Sequence, residues 1–133
     1  MQTTIGSAGL INQPMIQAVL REVAAKLAKL LENGEAARID LRRLPLPPDG
    51  LHAIRRFLGR GEVEANVQGV GSCSFQETGT AGVWWGTQRN TAGDPVGEFI
   101  EIARVPDLLK ADDAEMHDAV DALRRRLGQA LDS

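Results

Sequence analysis

The chain has 133 residues, 43% apolar and 25% charged, with a formal net charge of −3. These values suit one soluble globular domain, and they exclude general disorder, a basic nucleic-acid-binding surface and a long acidic tail. The single cysteine, Cys73, excludes a disulfide framework within the chain and suits a reducing compartment.

Residues 1–13 are small and polar and read as a flexible arm. They lack the basic region and apolar core of a secretory signal. No apolar run approaches the roughly 20 residues of a membrane helix, so the expected location is cytoplasmic. A helix is predicted from Pro14, a favoured first-turn residue. Ile16, Val19, Leu20, Val23, Leu27, Leu30 and Leu31 give it one apolar stripe, and Asn33-Gly34 ends it. Ala37–Leu41 alternates as a strand. Pro45, Pro47 and Pro48 then forbid helix or central strand, so residues 42–50 form an extended connection with packing leucines. Leu51, Ile54 and Leu58 mark a short helix closed by Gly59 and Gly61.

At Glu62 the period changes to two. Strands are predicted over Glu62–Gln68, Ser72–Thr78, Val83–Arg89 and Val96–Val105, separated by glycine-bearing turns. Asp112 with Glu115 resembles a capping box for a final helix whose stripe is Met116, Val120, Leu123, Leu127 and Leu131. Arg124, Arg125 and Arg126 lie in that helix, where they favour its C-terminal dipole end over phosphate binding. The expected fold is α+β, a mainly antiparallel sheet of about four to five strands packed by about three helices. It forms a single domain over residues 1–133.

The residues offer little chemistry. His52, His117 and Cys73 fall in separate elements, with none of the spacings of a metal site or an activated nucleophile. The expectation is therefore a protein without catalytic, cofactor or metal residues, working by binding. The glycine pairs Gly69/Gly71 and Gly79/Gly82 punctuate hairpins and do not open a helix as a phosphate loop does. Trp84-Trp85 is the strongest feature, because adjacent strand residues point to opposite faces. The chain has only two Trp, three Phe and no Tyr. One Trp enters the core, and the other is either packed on the far face or an exposed interface anchor. Alternation sets Phe99 and Glu101 on one face and Ile100 and Ile102 on the other, so Glu101 pairs with Arg104 or another cation, or lines a contact. An exposed sheet edge or Trp face also leaves a homodimer open.

Several runs together resemble the conserved C-terminal region of HupH/HyaF-type hydrogenase expression proteins. They are Asp40-Leu41-Arg42-Arg43-Leu44-Pro45-Leu46-Pro47-Pro48, Leu58-Gly59-Arg60-Gly61-Glu62-Val63, Glu77-Thr78 with Gly82-Val83-Trp84-Trp85, and Gly97-Glu98-Phe99-Ile100-Glu101-Ile102 with Val105-Pro106. The motif region spans residues 37–110. The resemblance implies a non-enzymatic chaperone or scaffold in maturation of [NiFe] uptake hydrogenase. Its implied partners are the iron–sulfur small-subunit precursor and other maturation proteins, with neither nucleic acid nor membrane. Longer relatives carry a further N-terminal region. The alternative is a protein that handles a small ligand, cofactor or metal in the same pathway. Partner-binding candidates are Trp84, Trp85, Glu77, Glu98, Phe99, Glu101, Leu44, Pro45, Leu46 and Pro47.

Overall fold

The computed structural model describes residues 7 to 132. The expected arm falls partly outside them, at residues 1–6. From Ser7 onward it is structured. Ser7–Leu10 makes one helical turn (α1), and Leu10 is buried. The polar composition of the segment hid the two residues, Leu10 and Ile11, that tie it down; Ile11 packs on the main core.

Helix α2 (Pro14–Asn33) begins at its proline and stops at Gly34, whose φ of 74° is left-handed. There the Gly34 N–H donates to the Leu30 carbonyl at 2.9 Å. Ile16, Val19, Val23 and Leu30 are buried. Leu31, assigned to the same stripe from sequence, is 71% exposed. Strand β1 (Ala37–Asp40) follows, then a 3-10 turn over Leu41–Arg43 and the proline-rich connection. Helix α3 (Gly50–Leu58) buries Ala53, Ile54 and Leu58 and turns Arg55 and Arg56 outward.

The remaining strands are β2 (Glu64–Gly69), β3 (Gly71–Glu77), β4 (Val83–Arg89) and β5 (Pro95–Ile102). Among the described residues, five strands form one antiparallel sheet in the order β1-β5-β4-β3-β2. The fold is α+β, as the change of period predicts. Strand β5 stops at Ile102, short of the predicted Val105, and a 3-10 turn over Asp107–Leu109 follows.

Register places Trp85 between Ile100 and Gln76 on neighbouring strands. On this face Ile39, Val83, Trp85, Ile100 and Ile102 join the apolar sides of α2 and α3 in the main core. The helices leave bare the polar β2–β3 side, where Asn66 and Ser74 pair. The opposite face carries a smaller core of Phe75, Trp84 and Phe99, against which Leu109 packs. Phe75 and Phe99 meet edge-on, with centroids 5.8 Å apart. Phe99 lies across Gly86, its partner on β4, where an added Cβ would overlap the ring.

Helix α4 (Asp113–Asp132) is capped by Asp112, whose Oδ1 accepts from the Ala114 N–H at 2.7 Å. It differs from the expectation in one respect. Among the described residues it makes no extensive contact with the sheet or another helix, and none of its own residues is buried.

Candidate functional site

Trp85 organises the helix-side face. Its ring is 1% exposed, and its Nε1–H donates to Glu98 Oε2 at 3.1 Å. The Arg55 guanidinium lies 5.3 Å from the ring centre, close enough for a cation–π attraction. Arg55 arrives there because α3 turns its apolar side to the core, which leaves positions 52, 55 and 56 along the flank facing the uncovered strands.

Two hollows adjoin along this flank. One of about 250 Å³ is floored by Trp85, Gln76 and Thr78 and rimmed by His52, Arg55, Arg56 and Arg60. The other, about 590 Å³, lies between the proline-rich connection and β5. Leu44, Leu46, Pro47, Pro95 and Glu98 are among its walls. His52 lines both, and the Trp85–Glu98 hydrogen bond joins their floors. The polar floor groups are satisfied internally. Gln76 Nε2 donates to the carbonyls of Gly61, Val63 and Glu77, and the Thr78 hydroxyl to that of Val83 at 2.8 Å. Arg42 is tied down too, donating to the Pro95 carbonyl at 2.9 Å. The smaller hollow thus offers apolar surface and a cationic rim, with Arg60 paired to Glu64 at 3.7 Å, whereas the larger hollow adds Asp49 and Glu98 to its walls.

The sequence candidates divide between two faces. Trp85, Glu98, Leu44, Leu46 and Pro47 line the cleft. Pro45 is in the same connection but exposed outside it. Trp84, Phe99 and Glu101 lie on the opposite face, and Glu77 pairs with Trp84 there. Neither tryptophan is an exposed anchor. Trp84 is 6% exposed, and its Nε1–H donates to the Ala103 carbonyl at 3.0 Å. Glu77 Oε1 accepts from the Glu62 N–H at 3.2 Å and holds the approach to β2.

Glu101 finds its cation in Arg38, directly across on β1. Arg38 Nη2 and Nε both donate to Glu101 Oε1, at 2.6 and 2.9 Å, and the guanidinium stacks 3.9 Å over the Phe99 ring. From sequence, His52 figures only as a candidate for metal or nucleophile chemistry, and Arg55, Arg56 and Arg60 are not marked as site residues. For Arg55 and Arg56 the signal is the cationic side of α3, which looks the same whether it faces bulk water or a cleft, and Arg60 follows just beyond the helix end.

His52, Cys73 and His117 lie on α3, β3 and α4. Burial pushes the Cys73 thiol up from its ordinary value, with Arg38 opposing and Glu101 reinforcing. That keeps the sulfur protonated and weakly nucleophilic near neutrality. Among the described residues, no three His, Cys, Asp or Glu side chains gather to hold a metal ion. No described helix is long and apolar enough to cross a membrane. This arrangement can bind an apolar segment with acidic neighbours.

Residues 15–130 match the family model described as the HupH hydrogenase expression protein, C-terminal conserved region. The chain belongs to the HupH hydrogenase expression protein family. A solved structure of hydrogenase expression protein HupH from Thiobacillus denitrificans ATCC 25259 is similar, with 42% identity and a TM-score of 0.80. The match covers 86% of this chain and 95% of that one. Among curated relatives, the hydrogenase expression/formation protein HoxQ of Azotobacter vinelandii is 33% identical over 76% of this chain and 35% of its own length. HupH of Rhizobium leguminosarum bv. viciae is 25% identical over 88% of this chain and 40% of its own. The chain therefore spans about 35–40% of the length of these curated relatives. The motif runs and the α3 cleft both fall inside the HupH region.

Proposed function

We propose that this chain is a binding module in hydrogenase maturation, holding a hydrogenase subunit during assembly through the cleft beside α3. The subunit favoured is the iron–sulfur small-subunit precursor of a [NiFe] uptake hydrogenase. The observation that carries the reading is the apolar, Trp85-floored cleft with its Arg55, Arg56 and Arg60 rim, within a HupH-family chain. An incoming segment with one bulky apolar side chain and flanking carboxylates would displace water from the floor and meet the guanidinium groups at the edge. Burial of the apolar group supplies affinity, and the rim charges supply orientation and encounter rate. The role is to hold and release a partner, with bonds made and broken elsewhere.

The test is capture of purified small-subunit precursor by the full chain, compared with an Arg55→Glu/Arg56→Glu variant. Both positions are exposed, so the change is expected to leave the fold intact, with Arg56→Glu alone as the variant that spares the Arg55–Trp85 contact. Reversing two rim charges is expected to weaken binding by about tenfold or more, with an unchanged circular dichroism spectrum. Equal binding by wild type and variant would remove the cleft from the interface. Capture of the large subunit alone would reassign the partner.

A further inference from the structure

We infer that α4 is a self-association element that pairs antiparallel with α4 of a second copy of this chain. Helix α4 has 20 residues, none of them buried, and it has no extensive contact with any other element of the described chain. Met116, Val120, Leu123 and Leu127 are 46–55% exposed. A helix in a protein draws most of its stability from packing its apolar side, which α4 has not done within the chain.

Two features identify the partner. The first is the spacing of the stripe. Residues 116, 120, 123 and 127 are spaced four, three and four apart, the two-position seam of a coiled coil, and Leu131, 84% exposed, falls one position past the next seam site at Ala130. The second is charge. Asp112, Asp113, Glu115, Asp118 and Asp121 precede Ala122, whereas Arg124, Arg125 and Arg126 follow it, and Asp132 at the last position is the one acid in the second half. A parallel pair would set acid against acid and the arginine triplet against itself. An antiparallel pair sets each acidic half beside the arginines of the other copy.

The seam and the charges agree on one register. With the twofold axis between Asp121 and Ala122, Met116 meets Leu127 of the second copy and Val120 meets its Leu123. By symmetry the same contacts recur on the other side, closing four apolar layers. The contact is isologous and ends at a dimer. It shares no residue with the α3 cleft, so it stands or falls independently of the proposed partner.

Sedimentation velocity on the full chain, from micromolar to millimolar concentration, tests the inference. The expected mass is twice 14.3 kDa. Leu123→Glu inserts a carboxylate into both central layers and is expected to give monomer, with the sheet's tryptophan fluorescence unchanged. Disulfide trapping in a Cys73→Ser background fixes the orientation. Chains carrying Met116→Cys and Leu127→Cys, mixed and oxidised, are expected to cross-link to each other rather than each to itself. A monomer throughout the concentration range, a dimer that survives Leu123→Glu, or a Met116→Cys chain that cross-links mainly to itself would each overturn it.

Discussion

Trp84 and Trp85 are neighbours in the chain that end in separate cores. Trp85 lies under α3 with its indole N–H on Glu98, and Trp84 lies on the other face with its N–H on the Ala103 carbonyl. Buried indoles need such acceptors, because an unpaired buried donor costs about 1–3 kcal/mol. The Arg38–Glu101 pair is asymmetric in the same sense. Glu101 is buried, whereas the Arg38 side chain is 52% exposed. Removing the arginine strands a carboxylate, and removing the carboxylate leaves a cation that water can reach. Arg38→Ala is therefore expected to destabilise by about 1–3 kcal/mol, and by more than Glu101→Ala, in urea unfolding. The reverse order would show that the Glu101 carboxylate is not stranded when Arg38 is removed. Cys73 gives a pH prediction. Burial, the largest influence, raises its folded value above the ordinary 9.0. Its contribution to stability is thus fully present below about pH 9 and is lost as pH rises through the higher folded value. Iodoacetamide alkylation should reach half-maximal rate at higher pH in the native protein than in the urea-unfolded chain. A lower native midpoint would contradict the burial.

At the scale of elements, β4 is the strand on which both cores depend. Val83 and Trp85 face the helices, and Trp84 faces Phe75 and Phe99. Gly86 is the one position on β4 that must be empty, because the Phe99 ring occupies the space of its side chain. Gly86→Ala is expected to cost about 1–3 kcal/mol by overpacking, measured as a lowered urea midpoint with an unchanged slope. An unchanged midpoint would mean that Phe99 has another rotamer available. The elements themselves are largely legible in the sequence. The apolar stripe of α2 and the alternation in β1 and β2 report local periodicities that one buried side imposes, whereas β4 and β5 bury both faces. The contents of the site are less so. Trp85 and Glu98 are far in the chain from Leu44 and Leu46, and they meet only because the connection and α3 pack over β4 and β5. Arg55 and Arg56 could not be recognised as a rim before the helix had a neighbour.

At the scale of the molecule, residues 7–110 carry both cores and α4 carries none. Deleting the chain after Lys110 is expected to leave the thermal midpoint of the sheet's tryptophan signal within about 2 °C of the full chain, at concentrations where the full chain is monomeric. A large drop would mean that α4 covers one of the cores. The apolar periodicity determined by itself that the protein is α+β with an antiparallel sheet, since a side chain's face follows from its position in a helix or strand. The motif runs likewise carried the HupH resemblance, because family signatures are linear. Only the tertiary structure decided which side of the sheet each tryptophan serves, that Arg38 rather than Arg104 neutralises Glu101, and that the last helix stands apart. Those outcomes depend on register between distant strands and on which surfaces run out of partners, and neither quantity is written in any local stretch of sequence.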